Sequence, residues 1–208
     1  MGATLAPVAQ AALVTFNDVG PGTPLFDGGP VTSGGFTFAA GTVSSGGLVE
    51  TTGLLGAPDN DGSQALGMYF DSSVTMTQVG GLSFFLVGLD FSAINFGQAG
   101  GQLVMQGLRA DGVGTIQVSQ NYAVDANGAF KFATLGAGDL GGLASNLLQS
   151  VNFSGCTFDA LGACVGPTFQ NFNNFALDNI RAVPEPGSLA LVALALGVAG
   201  MARRRVAA

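Results

Sequence analysis

The chain has 208 residues, of which only 9% are charged, with Gly the commonest at 34, Phe at 16, Tyr at 2 and Trp at 0. A chain this long fits one domain with short appendages, and a Gly-rich, charge-poor composition suits an exported all-β body better than a cytosolic enzyme. There is no histidine, which removes the usual general base, the Ser-His and Cys-His nucleophile pairs and every His-based zinc site. A hydrolase would need clustered carboxylates, of which the sequence offers no close pair, so no catalytic residues are assigned and no enzyme is expected.

The formal net charge is −7, yet three of the six basic residues are Arg203, Arg204 and Arg205. From Ala12 to Ala182 three cations, Arg109, Lys131 and Arg181, stand against twelve carboxylates, a body charge of about −9. Such a body repels phosphate backbones, and nucleic acid is excluded as a partner.

Residues 1–11 contain the small-x-small pattern Ala9-Gln10-Ala11 just before a first apparent strand, the form of a secretory cleavage site. They read as the remnant of a secretory signal peptide, the other reading being an ordinary N-terminus. Residues 12–182 then alternate short β-favouring runs with Gly, Asn, Asp and Ser punctuation. The predicted strands are Leu13–Val19, Gly35–Ala40, Ala65–Phe70, Val74–Val79, Leu82–Phe91, Gln102–Ala110, Thr115–Val124, Ala129–Leu135, Leu148–Phe153 and Phe172–Ala182, with one helical turn over Leu143–Leu147.

Period-two alternation in Gly35-Phe36-Thr37-Phe38, Val74-Thr75-Met76-Thr77 and Ala129-Phe130-Lys131-Phe132 puts one face on a core and the other in water. The run from Gly81 to Phe91 is apolar on both faces, as a central strand would be, and Gly20 to Pro30 reads as loop. The expected fold is an antiparallel β-sandwich of jelly-roll type.

Several local patterns carry candidate chemistry. Gly136-Ala137-Gly138-Asp139-Leu140-Gly141 matches the spacing of a dinucleotide loop, but the flanking strands lack the βαβ alternation that would aim a helix at a pyrophosphate, and the match is set aside. Pro58-Asp59-Asn60-Asp61-Gly62 has the look of a calcium loop, though without the downstream acid of an EF-hand an Asx turn is the commoner outcome. A structural calcium ion between Asp18 in the first strand, or its neighbour Asn17, and Asp178 in the last is the candidate metal site. The alternative is that Asp178 and Asn179 bond backbone groups at a strand edge.

Tyr69 and Tyr122 are the body's only polar-tipped aromatics for stacking sugars, and the ladder Phe169, Phe172 and Phe175 reads as core. Asn152-Phe153-Ser154 matches a glycosylation sequon by chance frequency. Cys156 and Cys164 are spaced for a disulfide across a hairpin or loop in an oxidising compartment, worth about 2–3 kcal/mol, or else are two unpaired small hydrophobes.

Residues 183–208 have three parts: Pro184-Glu185-Pro186, an uncharged apolar run from Gly187 to Ala202, and Arg203 to Arg205. The prolines fix φ and lack backbone donors, which predicts an extended handle outside the preceding sheet. The sixteen-residue run would rise about 24 Å as a helix, short of a hydrocarbon core of roughly 30 Å, so it reads as a marginal transmembrane helix. The arginines halt transfer and keep the C-terminus cytoplasmic, with the body outside.

This three-part tail closely resembles the PEP-CTERM sorting signals of exopolysaccharide-producing Gram-negative bacteria. The resemblance implies that Pro184, Glu185 and Pro186 form the motif recognised by an exosortase, a membrane transpeptidase, with Arg203, Arg204 and Arg205 as stop-transfer signal. It further implies transient anchoring in the inner membrane, then release or attachment at the cell surface or in the extracellular matrix, with exopolysaccharide as a partner. The stretch FALDNIRAVPEP is similar to the last strand of many such proteins, and more loosely to galactose-binding-like jelly rolls. Set against this non-catalytic surface or matrix role is a calcium-dependent, lectin-like carbohydrate-binding module.

Overall fold

In Phe36-Thr37-Phe38 two rings fall on one side of an extended chain and a hydroxyl on the other, and both rings are buried. That alternation, repeated along the chain, commits it to strands that share one apolar interior. A computed structural model describes residues 11–25, 29–41, 46–51, 62–69, 73–94, 100–123, 131–158, 161, 164–165 and 174–185.

The strands are β1 (Ala12–Val14), β2 (Pro24–Leu25), β3 (Val31–Ser33), β4 (Phe36–Ala40), β5 (Gly46–Thr51), β6 (Gln64–Tyr69), β7 (Ser73–Gln78), β8 (Phe84–Ala93), β9 (Gly100–Arg109), β10 (Thr115–Ala123), β11 (Ala133–Leu135), β12 (Leu148–Phe158), β13 (Cys164–Val165) and β14 (Phe175–Pro184). Two single-turn helices, α1 (Ala137–Leu140) and α2 (Gly142–Ser145), connect β11 to β12. All described strand pairings are antiparallel.

Among the described residues the fourteen strands form one continuous sheet, ordered β2-β5-β6-β14-β8-β12-β7-β4-β3 along its main path. β8 and β12 meet at a single pair, Leu148 and Phe84, and this narrow seam divides the sheet into two halves. One half is built on β14 and β8, with β6 and β1 taking successive stretches of β14 and β11 lying beside β8. The other is built on β12, whose Ser150–Ser154 stretch is paired with β7 on one side and β9 on the other.

The halves enclose one apolar cluster that includes Phe16, Phe36, Phe38, Phe84, Phe91, Met105, Phe153, Phe175 and Leu177. Edge-on ring contacts cross between them: Phe36 lies 5.1 Å from Phe84 and Phe91 6.1 Å from Tyr122. Such contacts add about 0.5–1.5 kcal/mol each to the burial of the rings themselves.

The all-β antiparallel expectation holds, and β4, β6, β7 and β10 fall close to their predicted bounds. β8 is central and is buried on both faces from Leu89 onward. β1 is shorter than the predicted Leu13–Val19, because Phe16 takes a positive φ of 56° and Val19 N–H closes a turn onto its carbonyl. Of the predicted Ala129–Leu135 strand, residues 129–130 lie outside the described residues and only Ala133–Leu135 pairs.

β2 falls inside the stretch expected as loop, β5 was hidden by its glycines, and β12 runs five residues beyond Phe153. The helical turn sits earlier than predicted, at α1 and α2. Among the described residues no helix is long and apolar enough to cross a membrane, and the run 187–202 lies outside them.

Phe153 is fully buried at the centre of β12, opposite Val74 on β7 and Met105 on β9. Phe153→Ala is therefore expected to lower the unfolding free energy by about 3–5 kcal/mol, read as a reduced midpoint in urea denaturation with an unchanged slope.

Candidate functional site

β14 carries the body into the C-terminal motif. It pairs with β8 from Phe175 opposite Ala93 to Pro184 opposite Phe84, with irregular register between Asp178 and Ala182. Asn179 stands at that irregularity with a positive φ of 47°, a conformation Asn tolerates better than most residues. The pairing does not stop before the motif: Pro184 is the last strand residue, and Glu185 N–H donates to Ser83 O at 2.8 Å.

The expectation that the motif stays clear of the preceding sheet is thus corrected for Pro184 and Glu185. The reason is chemical. A proline at a strand end loses only a donor, its φ suits extended chain, and the next N–H is supplied by Glu185. Pro186, Gly187 to Ala202 and Arg203, Arg204 and Arg205 lie outside the described residues.

The two carboxylates expected to share a metal have separate partners. Asp18 accepts hydrogen bonds from Ser33 Oγ and, at 3.0 Å, from the Gly34 amide in the β3–β4 turn. The Ser33 bond first, and the Gly34 bond with it, hold its carboxyl below the usual range. Asp178 is fully buried and accepts from Ser63 Oγ at 2.5 Å and from the Asn179 amide at 2.7 Å.

Asn17, not Asp18, comes to the same place as Asp178: its Oδ1 accepts the Gln64 amide at 2.9 Å, next to Ser63. Asp90 is the cross-strand partner of Asp178 and accepts from Asn179 Nδ2 at 3.0 Å. Among the described residues there is no group of three or more His, Cys, Asp or Glu side chains placed to hold a metal ion.

Other sequence patterns resolve locally. Tyr69 and Tyr122 are both buried, so neither offers an open stacking face. Burial pushes the Tyr122 hydroxyl up to about 12, and it donates to the Cys156 carbonyl at 3.2 Å. The Gly136–Gly141 match opens only the four-residue α1, where Asp139 accepts the Gly136 amide at 2.9 Å. Asn152 of the sequon is mid-strand and donates to Thr75 Oγ1 at 3.0 Å.

Phe175 is core; Phe169, Phe172 and residues 58–61 of the acidic loop lie outside the described residues. Cys164 pairs by register with Phe158, two residues beyond Cys156 on β12.

Glu50 on β5 was not singled out from the sequence. It is 1% exposed, and neither carboxylate oxygen has a hydrogen-bond partner among the described residues. It faces Gly67 on β6, where a Cβ would come within 2.5 Å of Glu50 Oε1 and 2.8 Å of the Tyr69 hydroxyl oxygen. Glycine is therefore what leaves room for both polar tips. Burial pushes the Glu50 carboxyl up to about 7. The available signal was a lone acid among apolar and small residues in Gly46-Gly47-Leu48-Val49-Glu50.

Residues 182–206 match the family model described as the PEP-CTERM protein-sorting motif. The chain carries a PEP-CTERM sorting signal. That signal implies export and membrane-associated sorting, and it begins inside β14, two residues before the first proline.

No curated protein matches the chain. Among solved structures, a DUF4465 family protein from Bacteroides caccae is similar at 12% identity and TM-score 0.51, covering 85% of this chain and 100% of that one. The K2 cleaved adhesin domain of Lys-gingipain gives 15% identity and TM-score 0.46 over 83% and 97%. A family 29 carbohydrate-binding module from Piromyces equi gives 10% and 0.38 over 77% and 89%. The first likeness supports the fold of the PEP-CTERM protein's body and nothing finer.

Glu50 sets a pH dependence for that body. Its folded pKa of about 7 lies above its ordinary value of 4.5, so the folded state holds the proton more tightly than the unfolded chain. Stability from this group is complete below pH 4.5, declines as pH rises, and is lost above about 7, by at most about 3 kcal/mol. Glu50→Gln is expected to flatten this decline and raise the melting temperature at pH 8 relative to the parent, as followed by thermal denaturation between pH 4 and 8.

Asp178→Ala would leave the Ser63 hydroxyl and Asn179 amide without their acceptor. A loss of about 2–3 kcal/mol is expected in denaturant titration.

Proposed function

We propose that this is a non-catalytic surface or exopolysaccharide-matrix protein of a Gram-negative bacterium, delivered by its tail. Residues 12–182 are its extracellular domain, a jelly-roll-like β-sandwich, and residues 1–11 the remnant of its export signal. Gly187 to Ala202 hold the chain briefly in the inner membrane as a single helix, with Arg203 to Arg205 on the cytoplasmic side.

An exosortase breaks a peptide bond at or near Pro184-Glu185-Pro186. The acyl half passes to water, giving release, or to a nucleophile at the cell surface, giving attachment. The observation that carries this reading is the sorting-motif match at residues 182–206 on a tail of the required three parts. The acidic, histidine-free body agrees with a sorted substrate whose role is structural. A bridge between Cys156 and Cys164 belongs to the same reading, since an exported body meets an oxidising compartment, and no free cysteine occurs among the described residues.

The test is the intact mass of the protein recovered from surface and medium of producing cells with and without their exosortase. Loss of the tail near Pro184–Pro186 only when the enzyme is present is the expected result. A C-terminus ending at Ala208 in both strains would overturn it.

A further inference from the structure

The strand pairings bring a particular set of turns to one end of the body. Leu148 pairs with both Phe84 and Arg109, so the β7–β8 turn, the β9–β10 turn and the start of β12 lie at one level. Val79 N–H donates to Gly35 O at 3.0 Å, which adds the β3–β4 turn. Ala12 and Leu86 both pair with Ala182, which adds the start of β1 and the end of β14.

Five large hydrophobic side chains are exposed among the described residues: Leu13 (54%), Val79 (51%), Leu82 (54%), Val113 (70%) and Leu161. The first four all belong to this end. Val79 and Leu82 bracket the Gly80-Gly81 turn, and Val113 tops the β9–β10 turn. Leu161 lies beyond Phe158, at the far end of β12. Single exposed apolar residues are ordinary, whereas four gathered toward one end, three in its turns and Leu13 on β1 beside them, ask for a partner.

The site of chain exit says which partner. The Glu185 amide is still bonded to Ser83 O, at the β7–β8 turn itself. In the sequence the uncharged run begins at Gly187, only two residues and roughly 7 Å of extended chain later. A body tied that closely to a membrane segment has no tether with which to stand clear of the bilayer.

We propose that this end of the body is a membrane-docking surface. Leu13, Val79, Leu82 and Val113 rest in the headgroup–acyl boundary around the point where the tail enters the lipid. The charged residues of the β9–β10 turn do not oppose this, because Arg109 and Asp111 neutralise each other in an ion pair of 2.8 Å. The surface fits apolar insertion and is independent of anionic headgroups, which the acidic body would repel. This inference rests on the reading of Gly187 to Ala202 as membrane-inserted.

The test uses the full chain reconstituted in phosphatidylcholine vesicles. An environment-sensitive fluorophore is attached in turn at Leu82→Cys, Val113→Cys and Leu161→Cys, under conditions where the parent chain takes up no label. All three positions are exposed, so the substitutions leave the core intact. Carbonate washing reports whether the tail is inserted.

In carbonate-resistant protein, a blue-shifted emission quenched by spin-labelled lipid at positions 82 and 113, but not at 161, is expected. Equal water exposure at all three positions in carbonate-resistant protein would overturn the docking surface and leave the tail reading intact. Equal lipid quenching at all three would overturn it as well, since the contact would then not be confined to one end. Release of the chain by carbonate would overturn the tail reading and this inference with it. A blue shift in detergent that grows with protein concentration would replace the lipid by a second copy of the chain.

Discussion

The pairing of β14 with β8 is the constraint on which the rest of the molecule depends. It runs from Ala93 opposite Phe175 to Phe84 opposite Pro184. On one side of β14 stand β6 and then β1; beyond β8 stand β11 and the seam to the other half. Phe175 and Leu177 from one strand and Phe84, Leu86, Leu89 and Phe91 from the other supply fully or almost fully buried apolar side chains to the interior. The same ladder brings Asp178 opposite Asp90, and its last rungs deliver the sorting motif to the β7–β8 turn. Interior, buried acids and exit point are therefore set by one register. A slip of one residue would take Phe175 and Leu177 out of the main apolar cluster and put Ala176 and the Asp178 carboxylate in their place.

The buried acids show two ways of meeting one cost. Asp90 and Asp178 face each other across antiparallel strands, where like charges repel, and donors from Asn179 and Ser63 lie against them. Hydrogen bonds to charged groups are worth about 1.5–3 kcal/mol each, enough to offset much of the desolvation of a carboxylate. Among the described residues Glu50 has no such donors, and its carboxyl instead moves toward the neutral form as burial disfavours charge. Gly67 permits this by leaving space for the Glu50 and Tyr69 tips.

Legibility in the sequence followed the physical strength of each signal. Phe36-Thr37-Phe38 and Val74-Thr75-Met76-Thr77 alternate cleanly, and their strands lie where the alternation puts them. β5 begins with two glycines that carry no period-two signal, and β2 is two residues long within a Pro/Gly-rich stretch. Both exist because neighbouring strands offer unpaired edges, which local sequence does not reveal. Asp178 was visible as a polar residue in an apolar last strand, but its company was not. Asn17 reaches the Ser63–Gln64 corner while Asp18 turns away to Ser33, both in the turn that follows the positive φ of Phe16. The tail was legible as a sorting motif because its proline pair, apolar run and arginine cluster are contiguous in sequence, whereas the pairing of Pro184 and Glu185 with the sheet depends on tertiary context and was not.

A motif that is also the end of a strand must still be reachable by an enzyme, and magnitudes decide whether it is. Releasing Glu185 from Ser83 breaks one backbone hydrogen bond, a net cost of about 0.5–1.5 kcal/mol. At about 1.4 kcal/mol per factor of ten, the frayed end is populated at roughly one part in ten or more, far above any globally unfolded state. Proline chemistry keeps the cost that low, because neither Pro184 nor Pro186 has an N–H with which to zip further onto β8. Fraying of two residues lengthens the chain by only roughly 7 Å, so an enzyme that acts there must approach the body beside the β7–β8 turn. The sheet thereby holds the start of the motif, Pro184 and Glu185, without sequestering it.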